Sequence, residues 1–231
     1  MTRKSLVVAL LLSGVALGPV HAQQATDAIA PEAATDTSAV NADAFGDLGD
    51  AARQAIDTKA AGQPVKAQNW MVTAAHPLAV EAGAKVLEAG GSAADAMVAV
   101  QVVLGLVEPQ SSGLGGGSFL VWYDAKTGEL TTLDARETAP ALARPTLFQN
   151  DQGEPLEFMD AVVGGRSVGT PGTPALLETA HRKWGKLNWS QLFDDGIRLA
   201  DDGFTVSPRL AELVAGEGDA LARYPATTDY F

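Results

Sequence analysis

Three short motifs in this sequence contain residue types that could do chemistry, and the first is a glycine-rich loop. The segment Ser111–Trp122 reads SSGLGGGSFLVW, with four glycines in five positions. Such loops bind phosphate when they lead from a strand into the N-terminus of a helix. Here the predicted order is instead a helix, then the loop, then a strand. Ser118 stands where a dinucleotide site has its last glycine, and the lysine that a phosphate loop requires does not follow. The sequence therefore favours a structural role, through positive φ angles or a close approach between layers.

The second motif could provide a serine nucleophile. Residues 165–169 read GRSVG, which matches the Gly-x-Ser-x-Gly pattern of a nucleophile elbow between a strand and a helix. Such a hydrolase would use Ser167 and would need an acid and then a histidine later in the chain. The only later histidine in the sequence, His181, lies inside the next predicted helix. The pattern therefore favours a loop serine, and labelling of Ser167 by a fluorophosphonate would instead support the hydrolase.

Metal chemistry has little support in this sequence. Cysteine is absent, which excludes disulfides, thiolate nucleophiles and cysteine–metal sites. The histidines His21, His76 and His181 are far apart and form no zinc-binding pattern. We predict no metal site and no cofactor, and we expect His76 to stand at the start of a helix.

The third motif contains an arginine that could bind a carboxylate. Arg136 lies in LDARETAP, where a predicted strand ends beside a loop. A guanidinium binds a carboxylate through two parallel hydrogen bonds. The alternative is a local ion pair with Asp134 or Glu137, which contributes little if it is exposed. The residues alone favour the ion pair.

The elements that must position these motifs indicate an α+β fold. A helix is predicted from Pro77 to Gly90, and Ser92 with Asp95 forms a capping box for a second helix. That second helix, AADAMVAVQVVLGLVEPQ, is apolar on nearly every face and should be buried on all sides. After the glycine loop, SFLVWYD and ELTTLDAR form a predicted hairpin. Further helices are predicted to begin at Thr173, at Asn188 (ending near Asp202) and at Ser207, so helices layer against a largely antiparallel sheet.

The N-terminal residues are typical of an export signal followed by a linker. Residues 1–22 contain a basic start, a short apolar run and small residues before a cleavage site, which predicts a signal peptide and a periplasmic or secreted protein. The apolar run is too short for a stable membrane span. Residues 23–65 are predicted to be a mostly disordered lead-in, with a frayed helix around residues 51–60. The net charge of −12 argues against a nucleic-acid partner.

Together, several segments resemble the opening of the large subunit of γ-glutamyltransferases. They are residues 71–124 and, in order, LDARETAP, VGTPGTPA and GIRLADDGFTVSPRLA. On this resemblance, residues 66–231 are the N-terminal portion of a truncated large subunit. The implied fold is an incomplete part of the four-layer αββα sandwich of N-terminal nucleophile hydrolases.

The resemblance also implies an activity and a role for one residue. The family cleaves the γ-glutamyl amide of glutathione and passes the glutamyl group to water or an amino acid. A precursor cuts itself, and the N-terminal threonine of the small subunit, the partner of the large subunit, becomes the nucleophile. No catalytic residue is therefore expected in this chain, which should neither self-cleave nor turn over substrate alone. Arg136 matches the arginine that holds the α-carboxylate of the γ-glutamyl group and becomes the predicted substrate-binding residue.

Three alternatives remain open from the sequence. Cephalosporin or glutaryl acylases and poly-γ-glutamate-processing amidases share the implied fold and differ in substrate. A further alternative is an inactive truncated product that serves as a binding or scaffold protein. The helix Ala93–Val107 argues against an independently stable scaffold, because without its partners it would expose a large apolar patch.

Overall fold

The computed structural model describes residues 41–230, so the predicted signal peptide and the first part of the predicted lead-in lie outside the described residues. The regular elements in this range are helices and one hairpin. The helices are α1 (Asp50–Ala60), α2 (Pro77–Glu88), α3 (Ala93–Val107), α4 (Phe158–Val162), α5 (Thr173–Trp184), α6 (Asp194–Asp202), α7 (Pro208–Gly216), α8 (Gly218–Leu221) and α9 (Pro225–Tyr230), and the strands are β1 (Ser118–Asp124) and β2 (Glu129–Ala135). None of the described helices is long and apolar enough to cross a membrane.

Helix α3 lies at the centre of the helical layer. Its predicted capping box is present: Ser92 Oγ accepts the Asp95 N–H at 3.1 Å, and the Asp95 carboxylate accepts the Ser92 N–H at 2.8 Å. After Ala93, every residue of α3 is buried or half-buried, because α2, α5, α6 and the 3₁₀ turn Trp189–Phe193 pack around it. The prediction that this helix is buried on all sides is therefore confirmed in part: none of its residues after Ala93 is exposed, but residues such as Val100, Gln101 and Leu104 are only half-buried.

The predicted hairpin is also present and leads directly to the arginine. Strands β1 and β2 are antiparallel, with Ser118 opposite Ala135, so Arg136 follows the last paired residue. On the inner face, the rings of Trp122 and Trp184 stack with their centroids 4.5 Å apart and their planes 6° from parallel. This stack packs β1 against α5 and so fixes the hairpin on the helical layer.

The outer face of the hairpin carries the largest exposed apolar side chains of the two strands. Strand residues alternate between two faces, and the helices cover one of them. The expectation that α3 would expose an apolar patch is wrong, because other helices of this chain surround α3. The exposed patch, which we call the outer hairpin face, consists of Phe119, Val121, Tyr123 and Leu130, each 63–69% exposed.

The N-terminal part of the described chain is more ordered than its composition indicates. The prediction of a disordered lead-in is wrong for residues 42–48, because Ala42 and Leu48 are buried in the main core. Phe45 packs edge-on against His76, with the ring centroids 5.2 Å apart. Ala42 and Leu48 lie in the main core and Phe45 packs against it, which the average composition of the segment conceals. The helix predicted around residues 51–60 is α1 and is confirmed.

The C-terminal helices begin close to their predicted positions. Helix α5 spans Thr173–Trp184, and Ser207 caps α7 by accepting the Leu210 N–H at 3.1 Å. The helix predicted from Asn188 differs, because its first turn is 3₁₀ and α6 begins at Asp194. The resulting architecture is a helical layer with a two-stranded antiparallel sheet on one side, which confirms the α+β class.

Candidate functional site

Three of the segments quoted from the sequence, namely the glycine loop, LDARETAP and VGTPGTPA, lie in contact at the N-terminus of α5. The carbonyl oxygen of Gly116 accepts the N–H groups of Gly172 and Thr173, each at 3.1 Å. Thr138, after β2, forms a β-bridge with Thr170, before α5. The glycine loop, the DARETAP segment and the VGTPGTPA segment are therefore in direct contact. We call this contact the glycine junction; it comprises residues 113–118, 135–138 and 169–173.

The glycines of the loop serve this close approach. A Cβ atom on Gly117 would lie 2.5 Å from Glu137 Oε2 and 2.9 Å from the Ala135 carbonyl oxygen, and one on Gly172 would overlap that same carbonyl. None of the four loop glycines, all of which lie in the described range, has a positive φ angle. The close-approach interpretation is confirmed at Gly117, and the positive-φ alternative is wrong for this loop. Gly115 has open space around it.

The glycine loop also leaves no phosphate cradle at α5. Helix N-termini bind anions through their first N–H groups. At α5 the N–H groups of Gly172 and Thr173 are bonded to Gly116, so the loop itself occupies these donors. The geometry thus agrees with the element order in the sequence, which favours a structural loop.

Arg136 lies at the edge of the glycine junction, directly after β2. Its Nη1 donates to Glu137 Oε2 at 2.8 Å, and its backbone N–H donates to Asp134 Oδ1 at 2.9 Å. The local ion pair that the sequence offered as an alternative is therefore present. The Arg136 side chain is still 69% exposed, so the ion pair orients the guanidinium while much of it faces solvent.

Glu137 connects the arginine to the glycine loop. Its own backbone N–H lowers the pKa of the Glu137 carboxyl most, burial opposes this, and Arg136 and the Gly117 N–H lower the pKa further. The carboxylate is therefore ionised at neutral pH and holds Arg136 through a charged contact. The sequence identified Glu137 as a neighbour of Arg136, but its contact with Gly117 depends on the fold.

Ser167 has none of the geometry of a nucleophile elbow. It lies in a 3₁₀ turn, Gly165–Ser167, that follows the short helix α4 rather than a strand. Its hydroxyl donates to the carbonyl oxygens of Val162 at 2.5 Å and Gly164 at 3.2 Å. The prediction of a loop serine is confirmed.

His76 caps a helix, as its position before Pro77 predicts. Its side chain is completely buried, and Nδ1 accepts the Leu78 N–H at 3.2 Å. Burial lowers the pKa of His76 to about 4, so the ring is neutral at neutral pH. Residues 41–230 contain no group of three His, Cys, Asp or Glu side chains that could hold a metal ion.

Asp95 is a buried carboxylate whose wider role the sequence did not reveal. In addition to Ser92, its Oδ2 accepts the N–H groups of Lys186 at 2.8 Å and Leu187 at 3.2 Å, and its Oδ1 lies 3.6 Å from His181 Nε2. Burial raises the pKa of Asp95, but the N–H donors outweigh burial and the pKa is lowered overall. The capping box predicts only the hydrogen bonds between Asp95 and Ser92. The hydrogen bonds from Lys186 and Leu187, which join α3 to the segment after α5, depend on the tertiary fold.

Comparison with known proteins gives a consistent result over most of the chain. The family model described as Gamma-glutamyltranspeptidase matches residues 79–231. The glutathione hydrolase proenzyme of Bacillus subtilis (strain 168) is 46% identical over 159 residues, which are 69% of this chain and 27% of that protein. The chain therefore spans little more than a quarter of the length of this curated relative.

Solved structures agree with the sequence comparison. The γ-glutamyltranspeptidase of Helicobacter pylori is similar with a TM-score of 0.69 and 38% identity, over 73% of this chain and 48% of that one. The cephalosporin acylase of Bacillus halodurans is similar with a TM-score of 0.53 and 28% identity, over 69% of this chain and 30% of that one. The similarity is therefore greater to the transpeptidase than to the acylase.

Proposed function

The chain belongs to the γ-glutamyltranspeptidase family, and we propose that it forms part of the donor site of an enzyme that transfers γ-glutamyl groups. The donors are glutathione and related γ-glutamyl amides, and the acceptors are water or amino acids. The observation that carries this proposal is the position of Arg136, exposed at the end of β2 and oriented by Glu137 within the glycine junction.

Arg136 would act by binding the α-carboxylate of the donor. The guanidinium offers a planar set of donors that matches a carboxylate. Its present partner, Glu137, is also a carboxylate, so the ligand group has the same chemistry as the group that already orients the arginine. Binding at the α-carboxylate would place the γ-amide of the donor at a fixed distance from Arg136, where a nucleophile can reach it.

We assign the nucleophile to none of the residues described here. In the proposed reaction, the hydroxyl of the N-terminal threonine of the small subunit attacks the γ-amide carbonyl, and the α-amino group of that threonine takes the hydroxyl proton. The amide C–N bond then breaks, and the amine half of the donor leaves with this proton, which gives a γ-glutamyl ester of the threonine. The resulting ester is then cleaved by water or by an amino acid. Donors of the small subunit would stabilise the oxyanion. The reaction needs no metal or cofactor.

We place the contact with the small subunit on the outer hairpin face. An apolar sheet face of this kind is normally covered by another sheet or layer. The alternation of β1 and β2 leaves this face uncovered by the helices of residues 41–230. We further propose export to the periplasm or beyond, on the basis of the signal-like residues 1–22.

A second candidate is an acylase of the cephalosporin or glutaryl type, which the similarity to the Bacillus halodurans acylase favours. A poly-γ-glutamate-processing amidase would also bind a glutamyl carboxylate through Arg136. An inactive product remains the alternative from another functional class. These candidates differ in the donor that they require.

Donor selectivity of the complete gene product tests the proposal. L-γ-glutamyl-p-nitroanilide carries both an α-carboxylate and an α-amine, glutaryl-p-nitroanilide lacks the amine, and 4-aminobutyryl-p-nitroanilide lacks the carboxylate. We expect the highest kcat/KM with the γ-glutamyl donor and the lowest with the 4-aminobutyryl donor. A preference for the glutaryl donor would favour the acylase, and equal rates with the γ-glutamyl and 4-aminobutyryl donors would contradict a carboxylate site. The 231-residue chain alone is expected to release no nitroaniline.

A further inference from the structure

The start of the glycine loop is held by a buried ion pair that joins it to α7. Glu108 directly follows α3 and is 2% exposed, and Arg209 of α7 donates from Nη1 to the Glu108 Oε2. The amide of Gln110 donates to the same oxygen at 2.6 Å. Arg209 also donates from Nη2 to Ser111 Oγ at 3.3 Å. One guanidinium therefore contacts both the end of α3 and the loop that follows it.

Further contacts fix the first half of the loop against α3. The backbone N–H groups of Ser111 and Ser112 both donate to the Glu108 carbonyl oxygen at 3.0 Å. The side chain of Gln101, within α3, donates to Ser112 Oγ at 2.7 Å. The path of the loop from Glu108 onward is therefore set by the orientation of Glu108 and its neighbours.

The second half of the loop reaches the proposed donor site. Gly116 bonds to the start of α5, and the Gly117 N–H contributes to the environment of the Glu137 carboxylate. Glu137 in turn pairs with Arg136 at 2.8 Å. A displacement at the start of the loop would thus move the group that orients the arginine.

We propose that the Glu108–Arg209 ion pair is a positioning element of the donor site. The pair holds the glycine loop in the conformation in which the Gly117 N–H lies at the Glu137 carboxylate. Because Glu137 pairs with Arg136, the ion pair thereby sets the direction of the Arg136 side chain. The Glu108 side chain is 3% exposed and that of Arg209 is 26% exposed, so removing either partner leaves a poorly solvated charge that the loop must move to accommodate. The kinetic part of this inference rests on the proposed function.

The kinetic test compares Glu108→Gln, Arg209→Met and the double variant in the complete gene product. We expect each to raise the KM for L-γ-glutamyl-p-nitroanilide about tenfold with kcat within about twofold, because ground-state carboxylate binding is affected and the reacting groups are not. The double variant should raise the KM no more than either single variant does, because it removes the same interaction and leaves neither charge buried without its partner. Arg209→Lys should have an intermediate effect, since an ammonium can bind Glu108 but lacks the fork that also reaches Ser111.

The matched control is Arg182→Met. Arg182 also forms an ion pair, with Glu178 one turn away on α5, but its side chain is 69% exposed and the pair lies on the helix surface. We expect this variant to keep the parent KM. The rate with 4-aminobutyryl-p-nitroanilide should not change in any variant, because this donor has no carboxylate for Arg136 to bind.

Hydrogen exchange tests the structural part without any substrate. Peptides that cover residues 110–118 and 136–138 should exchange faster in Glu108→Gln and Arg209→Met than in the parent or in Arg182→Met. Unchanged exchange, or faster exchange with an unchanged donor KM, would overturn the proposal. If Arg136→Ala itself leaves the donor KM unchanged, the proposed function fails, and the exchange result still decides whether the pair fixes the loop. If Arg209→Met does not fold, Glu108→Gln and Arg209→Lys decide both parts.

Discussion

Replacing Arg136 with alanine removes the guanidinium that we propose for the donor carboxylate. Truncating one partner of a hydrogen-bonded charge pair costs about 2–5 kcal/mol when the pair is buried. The Arg136 side chain is 69% exposed and already pairs with Glu137, so solvent and the existing ion pair both reduce the net gain from a donor. The loss should therefore lie at the lower limit, at about 2 kcal/mol, which corresponds to a rise of about thirtyfold in donor KM.

The lysine variant separates charge from geometry. Arg136→Lys keeps the positive charge but replaces a rigid fork with a single ammonium. We expect it to leave most of the rise in KM in place. The control is Arg182→Ala, which removes an exposed, paired arginine from the last turn of α5 and should have no effect on the donor KM.

Initial rates of nitroaniline release across a range of donor concentrations measure these effects. Thermal unfolding of each variant verifies that the fold is intact, and the 4-aminobutyryl donor verifies that the loss depends on the carboxylate. The reasoning is refuted if Arg136→Ala keeps the KM within about twofold of the parent. It is also refuted if Arg136→Ala raises the KM for the 4-aminobutyryl donor, which has no carboxylate, by the same factor as the KM for the γ-glutamyl donor.

Three further predictions concern the residues that support the site and the fold. In Gly117→Ala, the new Cβ would lie 2.5 Å from the Glu137 carboxylate that orients Arg136. We therefore expect the free energy of unfolding, measured in urea, to fall by about 1–3 kcal/mol and the donor KM to rise. In the control Gly115→Ala the new Cβ meets open space, so neither quantity should change. Asp95→Asn removes a charged acceptor of N–H groups from two segments, and should lower the free energy of unfolding by about 1.5–3 kcal/mol, whereas the same loss in the exposed Asp201→Asn would contradict a specific role. The pKa of His76 is lowered from 6.5 to about 4 by burial, so in this interval the unfolded chain binds a proton that the folded chain does not. The stabilisation from the neutral ring is complete above pH 6.5 and is lost as the pH falls to about 4, by about 3 kcal/mol in total. His76→Asn keeps an acceptor for the helix cap but does not titrate, so its free energy of unfolding should depend less on pH than that of the parent. Parallel plots of unfolding free energy against pH for the variant and the parent would contradict this prediction.

The sequence by itself determined the local elements and where the arginine falls among them. The N-termini of α2, α3, α5 and α7 follow from local signals that act on backbone groups within a few residues. These signals are Pro77, the Ser92–Asp95 capping box, Thr173 and Ser207. The hairpin follows from two strand-like runs joined by a short turn. Because Arg136 comes directly after the second run, its place at a strand end required no knowledge of packing. Its assignment to a donor carboxylate came from the family resemblance and is still a prediction.

Only the tertiary structure decided which distant residues meet. The contact of Gly117 with Glu137, the N–H groups that Lys186 and Leu187 donate to Asp95, and the pairing of Glu108 with Arg209 each join residues that are separate in sequence. Whether such groups come together depends on how helices and strands pack, and no local pattern encodes this. The lead-in shows the same limit, because Ala42 and Leu48 are ordered by burial in the main core. Local hydrogen bonds and periodicity set the elements, whereas buried charges and close backbone contacts set the arrangement of the site.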